Sequence, residues 1–236
     1  MSKRIGIIVA MQVEFDQLVK LMIQPREERS GGLVFTMGNI GDCEVILLQC
    51  GIGKVNAAIG ATLMIREYAP RCIVSSGCAG GIDTRLDVMD VVVSRELVYH
   101  DVDCGEGLGC LPGQVQGLPL RFPADERLVQ LATGLQTLTR IHAGLICTGD
   151  QFITSRTELD RIKSVFPDGL AVDMESAAIA QVCYLQQVPF VSFRIISDTP
   201  GAKEHQQQYE NFWGEMADRS FTVTHEFLTS LSSFRF

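Results

Sequence analysis

Several kinds of segment are missing from this 236-residue chain. No apolar run reaches the roughly 18 residues that are needed to cross a bilayer, so a membrane protein is not expected. Neither a low-complexity tract nor a linker rich in proline, serine or charge interrupts the sequence. We therefore expect one domain over residues 1–236, with enough hydrophobic residues (46%) to build a substantial core.

Regular patterns of cysteine and histidine are also missing. The eight cysteines are scattered without a Cys-x-x-Cys pair, and the four histidines do not fall at the spacing of metal ligands. A metal site is therefore not expected, and the cysteines are interpreted as reduced, mostly buried thiols of a cytoplasmic protein. Residues 5–11 imitate a signal peptide, but Gln12 and Glu14 follow without a cleavage site, which favours a buried first strand.

Positive charge is scarce as well. The chain has 20 Lys and Arg against 28 Asp and Glu, which gives a net charge of -8 and argues against a nucleic-acid partner. Gly51-x-Gly53 lacks the third glycine of a dinucleotide fingerprint, and no Walker lysine–hydroxyl pair follows it. NAD and ATP are thus disfavoured, and no cofactor is expected.

Short runs rich in Val and Ile alternate with longer amphipathic runs. This alternation predicts an α/β fold with three layers, α/β/α, around a central mixed, largely parallel, twisted sheet. Strands are predicted near 4–10, 33–38, 44–50, 71–76, 88–93, 97–101, 141–147, 170–174 and 190–196. Helices are predicted near 11–23, 54–68, 124–135, 155–165, 175–186 and 206–231.

Acidic residues stand at the ends of several predicted strands. Asp173 and Glu175 interrupt an apolar run, and because burying an unpaired carboxylate costs several kcal/mol, they are expected to face something polar. Asp198 ends another apolar strand, and Glu14 follows the first one. Each acid alone could be a simple helix cap. Together they favour an active site, since ligands of such folds bind beyond the carboxyl ends of strands.

Two glycine-rich segments, Gly51-Ile52-Gly53-Lys54-Val55 and Gly77-Cys78-Ala79-Gly80-Gly81, are predicted as turns after strands, where a backbone can approach a ligand closely. Either motif alone is weak, but further motifs accompany them in a fixed order. These are Ile5-Gly6-Ile7-Ile8 with Ala10-Met11 and Glu14, Tyr99-His100-Asp101, Gly149-Asp150-Gln151-Phe152-Ile153, Asp173-Met174-Glu175 and Ser197-Asp198. The set resembles the nucleoside phosphorylase/nucleosidase superfamily, and within it most of all the bacterial 5′-methylthioadenosine/S-adenosylhomocysteine (MTA/SAH) nucleosidases, over nearly the full chain.

The resemblance implies hydrolysis of the N-glycosidic bond of 5′-thio-substituted adenosines to adenine and a thioribose. Such a reaction needs an acid at the purine, an activated water at C1′ and polar groups on the sugar. By similarity, Asp198 would be protonated and donate to adenine N7, and Glu14 would be ionised and activate the water. Glu175 would hold the ribose 2′- and 3′-hydroxyls.

The same similarity assigns a group of substrate-binding residues. Phe152 would stack on adenine, the backbone of Ile153 would bond the base edge, and Met174 would pack under the ribose. Outside such a motif, Phe152 and Met174 would be ordinary core residues. Further residues that would line the site are Met11, Ile52, Cys78, Gly80 and, near the 5′ end, Tyr209. Tyr209 fits a surface helix nearly as well.

The chain departs from the family in three places. Cys78 stands where a serine is common, and Gln12-Val13 precedes Glu14 where acidic residues are frequent. The segment 104–116, within a glycine- and proline-rich stretch, diverges most, in a region that lines the 5′ pocket of relatives, partly across a dimer interface. The resemblance therefore implies a homodimer that binds a small-molecule nucleoside, with the preferred 5′ substituent left open.

Three alternatives remain: a purine nucleoside phosphorylase, an aminofutalosine-type nucleosidase and a catalytically silent nucleoside-binding protein. A phosphorylase needs cations, usually arginines, to hold phosphate. Related phosphorylases carry an arginine where this chain has Ser75. Lys54 is interpreted as a surface residue at a helix start, and Arg194 as a strand residue with an acidic partner. Glu14 argues against a silent protein, because binding alone would not need it.

Overall fold

The computed structural model describes residues 4–199, 205–213 and 221–231. Its strands are β1 (Ile5–Val9), β2 (Ile23–Ser30), β3 (Leu33–Ile40), β4 (Cys43–Gln49), β5 (Cys72–Gly81), β6 (Val91–Tyr99), β7 (Phe122–Pro123), β8 (Ile141–Thr148), β9 (Gly169–Asp173) and β10 (Phe190–Asp198). Its helices are α1 (Gln12–Val19), α2 (Lys54–Tyr68), α3 (Glu126–Thr133), α4 (Arg156–Val165), α5 (Ser176–Gln186), α6 (His205–Asn211) and α7 (Thr222–Leu231), with a 3₁₀ turn at Glu106–Leu108.

The described strands form one mixed sheet in the order β2-β3-β4-β1-β5-β10-β6-β8-β9, with β7 paired to β6. One parallel group holds β4, β1, β5 and β10, and a second holds β6, β8 and β9. Antiparallel pairs join the groups, β10 with β6 and β9 with β5. Because β9 returns to β5, the strands β5, β10, β6, β8 and β9 close into a ring.

The sheet is covered by helices on both faces, and the predicted fold class is confirmed. One core contains residues of α2 and α5, including Met64 and Ile179. The other contains residues of α1, α3 and α7, including Leu18 and Phe227. Consecutive residues of β1 alternate between the two cores, which explains why this strand is apolar at every position.

Three strand predictions are corrected. Strand β2 was not predicted because its sequence is charged and its residues are exposed, as suits an edge strand. One strand, β6, replaces the two predicted at 88–93 and 97–101; a bulge between Ser94 and Glu96 leaves Arg95 exposed without ending the pairing. The predicted turn at 77–81 is instead the second half of β5, which pairs with β10 and β9.

Two helix predictions differ as well. Helix α1 ends at Val19, earlier than predicted, because β2 starts at Ile23. The helix predicted over 206–231 is described as α6 and α7, and residues 214–220 between them lie outside the described residues. No helix in the described ranges is long and apolar enough to cross a membrane.

Gly113 anchors the glycine-rich segment 103–117 to the end of β6. The N–H of Gly113 donates to the Val102 carbonyl oxygen, and a Cβ at Gly113 would lie 2.4 Å from the carbonyl oxygen of Tyr99. With φ at +87°, this position requires glycine. The stretch 105–109 is unlike it, since a Cβ at Gly105, Gly107 or Gly109 would meet nothing within 4 Å.

Candidate active site

One cavity of about 640 Å³ opens where β1, β9 and β10 end and where β5 passes. Every residue that the sequence assigned to a site lines it: Met11, Glu14, Ile52, Cys78, Gly80, Phe152, Ile153, Met174, Glu175, Asp198 and Tyr209. It is also lined by residues that were not assigned: Ala10, Ala79, Gln151, Val172, Asp173 and Ser197. The structure therefore brings the whole assigned set together.

Glu14 lies in the first turn of α1 and is buried. One carboxylate oxygen, Oε2, accepts the N–H groups of Ala10 and Met11, both at 3.0 Å, and Oε1 accepts that of Cys78 at 3.0 Å. Burial raises the pKa of Glu14, while Arg194 and the backbone donors oppose the increase. Since all three bonds come from N–H donors, this geometry fits the ionised form.

Glycine at position 77 allows this close approach. A Cβ there would lie 2.6 Å from Glu14 Oε1 and 3.2 Å from Arg194 Nη1. Any larger residue at Gly77 would displace the carboxylate or the guanidinium from β5. The glycine-rich segment thus serves side-chain packing beside the cavity, although it continues a strand instead of forming a turn.

Arg194 and Asp173 form a buried ion pair beside the cavity. Arg194 Nε donates to Asp173 Oδ2 at 2.6 Å, and the two side chains are only 3% and 1% exposed. The guanidinium also donates to Ser75 Oγ at 2.8 Å. Asp173 accepts two further bonds, from Thr148 Oγ1 at 2.5 Å and from the Ser176 N–H at 3.2 Å. The predicted acidic partner of Arg194 is confirmed, and it is Asp173.

Glu175 lies between β9 and α5, two residues after Asp173. Its Oε1 accepts the N–H of Gly53 at 2.9 Å. Burial first, and the negative charge of Asp173 second, raise the pKa of Glu175 to about 7, against the opposing effect of Arg194.

Asp198 is buried at the last position of β10. The pairing of β10 with β5 shifts register between Ile196 and Asp198, which places Asp198 opposite Gly80. Such irregularities re-aim a side chain at the end of a strand. The hydroxyl of Ser197 lies within hydrogen-bonding distance of both Asp198 Oδ1 and the Ala79 carbonyl oxygen.

Two aromatic rings stand at the mouth of the cavity. Phe152 is 53% exposed, so it is not a core aromatic. Its ring meets that of Tyr209 edge-to-face, with centroids 5.6 Å apart. The Tyr209 hydroxyl lies 4.0 Å from Met11 Sδ, so Tyr209 borders the cavity from α6.

Lys54 begins α2, as interpreted, but its side chain is only 22% exposed and is paired instead of lying free on the surface. Its Nζ donates to both carboxylate oxygens of Asp101, at 2.8 and 2.7 Å, and lies 5.3 Å from the centre of the Tyr99 ring. The first turn of α2 packs beside the end of β6, which brings the lysine to these partners. In the part of the chain that the structure describes, no group of three His, Cys, Asp or Glu is arranged to hold a metal ion.

Comparisons with known proteins agree with this site. A family model of the phosphorylase superfamily matches residues 4–229. The MTA/SAH nucleosidase of Marinomonas sp. (strain MWYL1) is 40% identical, over 95% of this chain and 97% of that protein. The S. pneumoniae nucleosidase structure with the transition-state inhibitor MT-ImmA has a TM-score of 0.90 at 35% identity, over 97% of this chain and 99% of that one. The chain belongs to the phosphorylase superfamily, among the MTA/SAH nucleosidases.

A second solved structure concerns the base. The MTA/SAH nucleosidase of Colwellia psychrerythraea 34H, in complex with adenine, has a TM-score of 0.91 at 35% identity, over 98% of this chain and 96% of that one. Both solved structures cover nearly the whole of this nucleosidase-family chain.

The sequence motifs included Ser197 without giving it a role, and they did not identify Asp173 as the acidic partner of Arg194. Asp173 was noted as an acid in an apolar run, and the matching signal was Arg194, a cation in an apolar strand. Two opposite charges in separate buried strands indicate an ion pair, because neither charge is stable there alone. For Ser197 the signal was its place in the Ser197-Asp198 motif, which does not by itself show what its hydroxyl contacts.

Asp173→Ala should destabilise this superfamily member strongly. The change leaves a buried guanidinium without its carboxylate partner, and breaking a buried pair costs about 3–5 kcal/mol. Urea unfolding monitored by circular dichroism measures the loss. Asp160→Ala is the matched control: its pair with Arg156 is exposed, with side chains 57% and 70% accessible, and should contribute about 0.3–0.5 kcal/mol. Equal losses for the two variants would contradict the importance of the buried pair.

Proposed function

We propose that the protein hydrolyses the N-glycosidic bond of 5′-thio-substituted adenosines, MTA and SAH, to adenine and the corresponding thioribose. The observation that carries the proposal is the arrangement of Glu14, Glu175 and Asp198, three buried carboxyl groups around one cavity, in a chain of this nucleosidase family. The named relatives act on the same substrates, and one solved neighbour binds adenine. The products would return to methionine salvage.

Asp198 is the proposed general acid. Adenine is a poor leaving group as an anion, so a proton on N7 lowers the barrier. The hydroxyl of Ser197 has one proton but two neighbouring acceptors, Asp198 Oδ1 and the Ala79 carbonyl oxygen. The Ser197 hydroxyl donates to Asp198 Oδ1 and so fixes the carboxyl group at the end of β10, beside the cavity. The general-acid role requires that Asp198 is protonated before substrate is cleaved.

Glu14 is the proposed activator of water. Three backbone N–H groups hold its carboxylate rigid, and a carboxylate accepts about four hydrogen bonds, so one position is left for a water in the cavity. Arg194 and the N–H donors counter the cost of burial and favour the charged form. A fixed, ionised carboxylate both orients a water and accepts its proton as the C1′ centre becomes electron-poor.

The sugar and base are held by the other residues of the cavity. The bond from Gly53 fixes Glu175, which then accepts from the ribose 2′- and 3′-hydroxyls. Phe152 is exposed at the cavity mouth and would stack on adenine, while Met174 would pack under the ribose and the Ile153 backbone would bond the base edge. The remaining contacts come from Met11, Ile52, Cys78, Gly80 and, at the 5′ end, Tyr209.

Water, not phosphate, is the proposed nucleophile. Ser75, where related phosphorylases carry an arginine, accepts a hydrogen bond from Arg194. Arg194 is itself paired with Asp173, and Lys54 is paired with Asp101. Neither cation is available as a bidentate clamp for a phosphate dianion, and the Glu14 carboxylate would repel it.

Adenine should be released from MTA in phosphate-free buffer. Chromatography of the products should show free methylthioribose and no ribose 1-phosphate derivative. Added phosphate should leave the rate unchanged apart from an ionic-strength effect, which an equal concentration of chloride controls. A strict requirement for phosphate would replace hydrolysis with phosphorolysis.

Asp198→Asn and Glu14→Gln should both lose turnover and keep substrate binding. Each amide retains the shape of the carboxyl group but neither donates a proton to N7 nor accepts one from water. A loss of about 10²–10⁴-fold in kcat is expected for each, as for general acid–base groups. Calorimetric titration with adenine checks that Asp198→Asn still binds the base. Near-normal kcat in either variant would remove that residue from its proposed role.

A homodimer is proposed on the basis of one helix face. Val55 and Ile59 are 69% and 48% exposed and lie four residues apart on one side of α2, and Ile52, 52% exposed, lies just before the helix. A row of large exposed apolar residues marks an association surface, and this one borders the cavity.

A cytoplasmic location is also proposed, since the eight cysteines are free thiols in the structure.

Val55→Glu should weaken the dimer. A carboxylate in the middle of an apolar interface is desolvated without a partner, so association becomes unfavourable. Light scattering coupled to size exclusion should give a dimer mass for the unaltered chain and a smaller mass for the variant. Leu138→Glu, at a fully exposed leucine away from α2, is the control and should stay dimeric. A monomeric unaltered chain would reject the dimer.

A further inference from the structure

We propose that Asp150 is a positioning residue that holds Glu175 in place and thereby sets the recognition of the ribose hydroxyls. The inference rests on the proposed role of Glu175. Asp150 follows β8 and is followed in the chain by Gln151, Phe152 and Ile153, which line the cavity. It is not itself among the residues that line the cavity, so it acts through others.

Asp150 caps a helix that belongs to another part of the chain. Its Oδ1 accepts the backbone N–H of Lys54, the first residue of α2, at 2.8 Å. The residue before the helix, Gly53, has no side chain with which to do this. A carboxylate at the start of a helix satisfies an otherwise unpaired N–H and interacts favourably with the helix dipole.

The same turn is bonded to Glu175. Gly53 donates its N–H to Glu175 Oε1 at 2.9 Å, and the next N–H, that of Lys54, goes to Asp150. Two adjacent backbone donors therefore hold two different carboxylates. Gly51 and Gly53 have φ of +91° and +98°, a conformation that glycine adopts easily and also leaves easily. Without Asp150 the turn is free to rotate, and the bond that fixes Glu175 is weakened.

Asp150 is in turn held by a closed set of charges. Its own N–H donates to Asp101 Oδ2 at 2.8 Å, and both oxygens of Asp101 bind Lys54 Nζ. Nζ lies 3.9 Å from Asp150 Oδ2. The side chains of Lys54 and Asp101 are only 22% and 15% exposed, so solvent screens their attraction weakly. The set links the segment that carries Phe152 to the turn that fixes Glu175.

The test compares MTA with its 3′-deoxy form, which lacks one hydroxyl that Glu175 holds. Asp150→Ala should lower kcat/KM on MTA by about 5- to 30-fold, the worth of a lost cap. On the 3′-deoxy form the loss should be markedly smaller, because the misplaced carboxylate no longer has that partner. Asp150→Asn keeps an acceptor for the Lys54 N–H and should recover most of the activity. Asp160→Ala, at an exposed position of α4, should leave kcat/KM unchanged on both substrates.

Glu175→Gln provides the reference. Glu175→Gln should also lower kcat/KM more on MTA than on the 3′-deoxy form. Adding Asp150→Ala to Glu175→Gln should lower kcat/KM little further, because the two residues act as a unit. If Glu175→Gln loses activity equally on both substrates, the proposed role of Glu175 fails, and this inference with it. If Glu175→Gln is selective and Asp150→Ala is not, the positioning role of Asp150 alone is overturned.

Thermal unfolding of each variant separates misfolding from misplacement. If Asp150→Ala does not fold, Asp101→Asn provides the second measurement, because it loosens the backbone of Asp150 and the side chain of Lys54 without touching the cap. Asp101→Asn should lower kcat/KM more on MTA than on the 3′-deoxy form, by a smaller factor than Asp150→Ala. If Asp101→Asn lowers kcat/KM equally on both substrates, Lys54, Asp101 and Asp150 only stabilise the fold, and the inference is rejected.

Discussion

A single buried guanidinium makes the site possible. Burial works to lower the pKa of the Arg194 guanidinium, but the negative charges of Asp173, Glu175 and Glu14 around it outweigh burial and raise that pKa. Buried carboxylates without a cation would either take up protons or unfold the region. Because one positive charge faces several negative ones, the electrostatic potential in the cavity stays negative. Such a field stabilises a ribosyl centre that gains positive character as its bond to nitrogen breaks.

The closed ring of strands explains how these groups meet. Arg194 comes from β10, Asp173 from β9 and Ser75 from β5, and β5 pairs with both of the other two. In an open sheet with β9 at a far edge, Asp173 would be several strands away from Arg194. Ring closure brings β9 back to β5, so side chains that are distant along the path of the sheet become neighbours. The ion pair and the ring therefore stabilise each other.

Much of the fold followed from the sequence because buried strands have a strong signal. Strand β1 is apolar at every position, strand β10 is buried along its whole length, and both were predicted within a few residues. Strand β2 was not predicted, because charged residues face solvent along its length. Strand β6 was predicted as two strands, because its sequence pattern is interrupted at the bulge. At the site, motifs located the acids. The partners of Lys54 could not be predicted, since Asp101 and Asp150 approach it only after β6 and β8 have paired.

The charged edge of the sheet has a consequence for the behaviour of the protein in solution. Ring closure leaves β2 and the two-residue β7 as the described strands with an unpaired side. Strand β2 reads Ile-Gln-Pro-Arg-Glu-Glu-Arg-Ser, and its proline lacks the N–H that an added strand would need. Adjacent charges of both signs also require hydration that a stacked neighbour would remove. The sheet thus offers little template for growth into fibrils, even at the high concentrations reached during overproduction.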